Sequence, residues 1–412
     1  MLYHAYEFQR TWMSSASALA SMSAGMLAGP AKTMDYFGMA PMMGHALDVF
    51  AHATAHYGKP EFGIAEVEID GKSHEVMEST VLKRPFGDLL RFRVEGAGDD
   101  RPKLLIVAPM SGHYATLLRG TVERMLESCE VYITDWADAR EIPQSAGKFD
   151  LDDYIDYLIE FAEFITEENA GKRIHMMAVC QPSVPAFAAA ALMNLHQSPA
   201  TPATLTMMGG PIDTRECPTV VNNMAMQRPI EWFRQSVIAT VPLKYKGAGR
   251  RVYPGFMQLS AFMSMNLSSH MMSHYEMFKH LTVGDEASAQ ATKDFYDEYR
   301  SVCDMTAEFY LQTVEEVFQK HSIPKGEFRH RGELVDITRI TDTALLAIEG
   351  ERDDISGLGQ TKAALKLTPN LPGEHKRYYM AEGAGHYGIF NGSRWRTKVA
   401  PVVEEWIAAH GA

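Results

Sequence analysis

Six short, mostly apolar runs, at residues 103–109, 131–134, 174–179, 204–208, 344–348 and 377–380, do most to limit what this chain can fold into. Each is too short for a helix, and most are followed by a stretch with helical spacing of apolar side chains. A strand apolar along its whole length is buried on both faces, which requires helices above and below it. Alternation of such strands with helices predicts an α/β architecture with a mainly parallel central sheet. Residues 62–94 read differently: Ile64, Val67 and Ile69 alternate with polar residues, and an Asp70-Gly71 turn follows. Antiparallel strands are expected there, at the start of the sheet.

Two further regions complete the expected organisation. Residues 1–60 carry helix-like spacing of Leu, Met, Tyr and Phe, broken at Gly29 and Pro30, and predict an N-terminal helical extension. Residues 214–336 are rich in Met, Phe, Tyr and Trp with helical periodicity and contain no convincing buried strand. They would form a helical insertion, either a lid or a purely stabilising domain. The core then consists of residues 61–213 and 337–412, and 412 residues with 46% hydrophobic content suffice for such a core.

The formal net charge of -13 argues against nucleic acid or an anionic membrane as the main partner, since both are bound through basic patches. No run of 18 apolar residues is present, so no transmembrane segment is expected. Residues 12–29 are rich in Ala, Ser and Met, but the serines and the flanking Glu7 and Arg10 fit a secretory signal poorly. Cys129, Cys180, Cys217 and Cys303 are widely spaced without a CxxC pair, which suits a reducing cytoplasm. His52 with His56, and His270 with His274, have the spacing of helical metal ligands but lack the glutamate of a zinc-hydrolase motif. Neither metal nor cofactor is expected.

Cys180 stands where the 174–179 run meets a helix-forming stretch. A cysteine ending an apolar strand is commonly inert core. A sharp strand-to-helix turn, however, is where an α/β-hydrolase fold presents its nucleophile, and a helix N-terminus favours the thiolate. Such folds place the acid and the histidine later in the chain, in loops after late strands. Here the 344–348 run leads into Glu349-Gly350-Glu351-Arg352-Asp353-Asp354, and the 377–380 run into Gly383-Ala384-Gly385-His386. His386 is the candidate base, and Asp353, preferred to Asp354, the candidate orienting acid. For the oxyanion, the backbone N–H of Gln181 is one candidate donor and that of Met110 or Ser111 the other; Gly112 and His113 form a candidate substrate loop.

The segments MMAVCQPSVPAFAAAALM around Cys180, VAPMSGHYATLLRGTVE after residue 106, EGERDDI around Asp353 and EGAGHYGIFNG around His386 resemble those of the intracellular polyhydroxyalkanoate (polyhydroxybutyrate) depolymerases. The resemblance spans nearly the whole chain. It implies hydrolysis of amorphous poly(3-hydroxybutyrate) on cytoplasmic granules, through an acyl-Cys180 intermediate with His386 as base and Asp353 as acid. The box around Cys180 departs from the usual G-x-S-x-G, with Ala178 and Pro182 at the glycine positions. Apolar N-terminal or insertion surfaces would also allow a homodimer.

Overall fold

The computed structural model describes residues 2–28, 40–54, 58–98, 100–265 and 267–411. The break expected at Gly29 and Pro30, His56, and the side chain of His270 lie outside the described residues. Helices α1 (Leu2–Ala28) and α2 (Ala40–Thr54) pack on each other. Strands β1 (Glu66–Ile69), β2 (Lys72–Leu82) and β3 (Gly87–Val94) form an antiparallel meander. The alternating core then begins: β4 (Lys103–Val107), α3 (Arg119–Met125), β5 (Glu130–Trp136), α4 (Leu151–Glu168), β6 (His175–Val179), α5 (Ser183–Leu195) and β7 (Thr204–Met208).

Between β7 and the next core strand lies the insertion. It holds α6 (Val220–Gln227), α7 (Ile230–Ser236), β8 (Ala239–Thr240), β9 (Arg251–Tyr253), α8 (Gly255–Met265), α9 (Leu267–Val283), α10 (Glu286–Arg300), β10 (Met305–Thr306), α11 (Ala307–Thr313), α12 (Ser322–Lys325) and the hairpin β11 (Arg329–His330) and β12 (Glu333–Leu334). Strands β8, β9 and β10 pair into a small antiparallel sheet, so the insertion is not purely helical. The core resumes with β13 (Ala344–Gly350), α13 (Ala363–Leu367), β14 (Lys376–Ala381), α14 (Gly392–Arg394) and α15 (Ala400–Ala409).

The main sheet has nine strands in the order β1-β2-β3-β5-β4-β6-β7-β13-β14, antiparallel as far as β5 and parallel from there on. This is the doubly covered α/β architecture that the apolar runs predict. Every residue of β4, β5, β6, β7 and β13 is buried. Helix α5 is apolar nearly all round, and its residues from Ser183 to Met193 are all buried, as expected of a helix with no water-facing side. Helix α4 is instead amphipathic and opens with a capping box: the Asp150 carboxylate accepts the Asp152 and Asp153 N–H groups at 3.1 Å, and Asp153 accepts the Asp150 N–H at 2.8 Å. Such a cap contributes about 1 kcal/mol.

Strand order fixes where a ligand can reach the core. The chain passes from β4 outward to β5, then returns to lay β6 on the other side of β4. The loops leaving β4 and β6 therefore diverge, and the crevice at their carboxyl ends is the switch point where open α/β sheets bind ligands.

Helices α1 and α2 sit on the insertion. Tyr6 stacks on Phe256 with ring centres 3.8 Å apart, Lys293 pairs with Asp48 at 2.7 Å, and the Tyr3 hydroxyl donates to Asp304 at 2.7 Å. His52 pairs with Asp297 at 2.7 Å, and His274 lies against the Tyr296 ring. Among the described residues no cluster of His, Cys, Asp or Glu is arranged to hold a metal ion. None of their helices is long and apolar enough to cross a membrane.

Candidate active site

Cys180 occupies the turn between β6 and α5 with φ 67°, in the left-handed region that a residue with a Cβ seldom adopts. Such strain persists only where the surroundings enforce it. Here the Cys180 N–H donates to the Met208 carbonyl at 2.7 Å, and the Cys180 carbonyl accepts the Ser183 N–H at 3.1 Å. The turn lacks the glycines of the usual box, but the space they would provide comes from the end of β7. A Cβ on Gly210 would stand 2.1 Å from the Ser183 side chain. One on Gly209 would meet Ile389, His386 and the Asp353 carboxylate at 2.9, 3.1 and 3.2 Å. Small residues are thus required beside the elbow rather than within it.

The late loops converge on the same point. His386 Nδ1 lies 2.7 Å from Asp353 Oδ2, with the two side chains 4% and 0% exposed. Asp353 Oδ1 accepts the Ile355 and Ser356 N–H groups at 2.9 and 2.8 Å, so both carboxylate oxygens are engaged. Asp354 is exposed. Buried Glu349, at the end of β13, accepts the Gly359, Thr361 and Lys362 N–H groups and the Tyr378 hydroxyl at 2.8–2.9 Å, shaping the loop that carries Asp353. The Arg352 N–H donates to the Ala384 carbonyl at 2.8 Å and joins this loop to that of His386.

With Nδ1 committed to Asp353, the second ring nitrogen of His386 is the one left for Cys180, with which the ring is hydrogen-bonded. Burial alone would lower the imidazole pKa. Cys180 and the Asp353 carboxylate outweigh it and hold the pKa well above the ordinary histidine range. The raised imidazole pKa suits His386 to take the proton of the Cys180 thiol and later return it to a leaving group.

The early loop departs from expectation in two respects. The Met110 N–H, read from sequence as a candidate oxyanion donor, donates at 3.2 Å to the side-chain carbonyl Oε1 of Gln181. His113, read as part of a substrate loop, is buried beneath the insertion: Nε2 lies 3.0 Å from the Tyr299 carbonyl, and burial lowers its pKa to about 4, leaving a neutral ring. Its neighbour Gly112 accepts the Cys303 N–H at 2.7 Å, and a side chain there would meet Gln258 of α8 at 2.9 Å. Gly112 and His113 therefore fasten the insertion to the core, and Ser111 precedes them in a half-buried position.

Sequence reading missed Tyr387 and Tyr299, whose rings lie 5.9 Å apart and whose hydroxyls interact beside Cys180. Tyr387 follows His386 directly, which was the one available signal. Tyr299 comes from α10, and nothing in the local pattern of an insertion helix indicates which residue will reach the core.

Residues 209–411 match the family model described as PHB de-polymerase C-terminus. Over that segment the chain is similar to the C-terminal part of PHB depolymerases. The matched segment begins at Gly209, under the His386–Asp353 pair, and carries the insertion and both late loops; Cys180 precedes it. That match supports a carboxylic ester hydrolase. A search of curated proteins finds no match. Similar solved structures include a putative lipase of Acinetobacter baumannii at 12% identity and TM-score 0.45, covering 81% of this chain and 93% of that one. A thermophilic esterase of Thermogutta terrifontis is similar at 14% identity and TM-score 0.44, covering 82% and 100%. A Paleococcus ferrophilus monoacylglycerol lipase is similar at 12% identity and TM-score 0.46, also covering 82% and 100%.

Proposed function

We propose that this protein hydrolyses the ester bonds of amorphous poly(3-hydroxybutyrate) through an acyl-Cys180 intermediate, with His386 as general base and acid and Asp353 orienting it. The observation that carries this reading is the strained turn that sets Cys180 against the buried His386–Asp353 pair. In the first half-reaction the Cys180 thiol gives its proton to His386, and sulfur attacks the ester carbonyl carbon. The tetrahedral oxyanion collapses, the alkoxide end of the polymer leaves, and it takes the proton from His386. In the second, His386 removes a proton from water, the hydroxide attacks the thioester, and a carboxylic acid departs as Cys180 is restored. General base catalysis of this kind contributes ~10²–10⁴-fold, and the Asp353 carboxylate favours the imidazolium that each half-reaction forms.

Residues 214–336 are read as a cap over this site, which Tyr299 and Gln258 approach from the insertion side. The granule surface is the proposed partner. Supporting this, α1 exposes Phe8, Trp12, Leu19, Met22 and Met26, each more than 60% accessible, on a helix with no charged residue after Arg10. A cytoplasmic setting accords with four free cysteines.

Release of 3-hydroxybutyrate from amorphous granules by wild type and by Cys180→Ala tests the reading. Loss of release by the folded variant is expected. Release that survives would mean that another group is the nucleophile.

A further inference from the structure

An oxyanion site needs two donors, and of the two N–H groups considered in the loop after β4, Met110 and Ser111, that of Met110 is bonded to Gln181 Oε1. That bond also fixes the amide's orientation: with the amide turned over, Nε2 would face the Met110 N–H, donor against donor. Gln181 Nε2 is consequently directed away from Met110. It is buried, and it has no hydrogen-bond partner. An unsatisfied buried donor is unusual enough to need a reason, and one beside a nucleophile points to a ligand that supplies the missing acceptor.

We propose that the side-chain amide of Gln181 is the second oxyanion donor, so that one residue supplies both, through its backbone N–H and through Nε2. Met110 then has a positioning role, its N–H holding the amide by the carbonyl end. The inference rests on Cys180 being the nucleophile. As sulfur bonds to the ester carbon, the carbonyl π electrons move to oxygen, and Nε2 donates to the resulting oxyanion. Collapse of the intermediate restores the carbonyl and leaves Nε2 unpartnered again. A preorganised donor of this kind acts chiefly where charge develops, so its loss falls on kcat rather than on KM.

The test compares wild type with Gln181→Met, which keeps the length of the side chain and removes the amide. Two reactions are followed: hydrolysis of p-nitrophenyl butyrate, which passes through an oxyanion, and alkylation of Cys180 by iodoacetamide, which displaces iodide without one. The expected result is a ~10²–10³-fold fall in kcat with KM little changed and the alkylation rate as in wild type. Unchanged hydrolysis would overturn the proposal. A parallel loss of alkylation would overturn it too, because Gln181 would then be supporting the nucleophile rather than the oxyanion. Cys180→Ala, assayed alongside, separates the two levels: ester hydrolysis surviving there sinks the nucleophile itself, whereas its loss combined with a normal Gln181→Met sinks only the donor.

Discussion

A single added methyl group tests how tightly the elbow is built. Ser183 is fully buried at the start of α5, and the position a Cβ would take on Gly210 is 2.1 Å from its side chain. Serine is too short to swing clear, so Gly210→Ala must displace the start of α5 or the end of β7. A loss of roughly 1–3 kcal/mol is expected from such overpacking, together with reduced ester hydrolysis because Cys180 is bonded to Met208 at the same crossing. Adding Ser183→Gly removes the obstacle, and the double variant should recover part of both losses. Denaturant unfolding of the two single variants and the double one checks this; strictly additive losses would show that the two residues do not oppose each other.

At the level of elements, the junction of α1, the loop after β5 and the insertion is built around buried carboxylates. Asp304 accepts the Tyr3 hydroxyl and the Gly255 N–H, at 2.7 and 3.0 Å, and its own N–H donates to Asp138 at 3.1 Å. Tyr6, Arg140 and Cys303 also interact with it, and Tyr114 bonds to Asp138 in the same cluster. Burial, reinforced by Asp138, raises the Asp304 pKa from 3.8 to about 7. Because the folded value is raised, its stabilising contribution is full below 3.8 and is lost as the pH rises through about 7. Asp304→Asn, which stays neutral, should therefore show a flatter dependence of melting temperature on pH across that interval than wild type. Parallel curves for the two proteins would refute this. The element scale also shows what sequence could and could not reveal. The buried runs around Leu105, Met177 and Leu346 announced a parallel sheet because a strand covered on both faces has no reason to alternate. The pairs Ala239–Thr240 and Met305–Thr306 announced nothing, since two residues are shorter than any period. Cys180, Asp353 and His386 were locatable because each follows a strand end. The side-chain bond of Gln181 to Met110 was not, because it depends on how two loops distant in sequence lie side by side.

On the scale of the whole molecule, the exposed apolar residues of α1 lie on a helix that packs on α2 and the insertion, and they belong to no part of the buried site. Attachment to a solid polymer and cleavage of an ester should then be separable. Combining Trp12→Glu, Leu19→Glu and Met22→Glu is expected to abolish sedimentation with amorphous granules and to leave hydrolysis of p-nitrophenyl butyrate near the wild-type rate. Equal loss of both activities would tie α1 to the site instead. The order of the sheet has a bearing on how the protein is made. Strand β7 lies between β6 and β13, and the entire insertion separates β7 from β13 in the chain. On a ribosome adding ~5–20 residues per second, the open edge of β7 waits roughly 7–28 s for its neighbour. The emerging cysteine waits longer still for Asp353 and His386. A nascent chain therefore carries the Cys180 thiol without the His386–Asp353 pair beside it until both late loops have emerged.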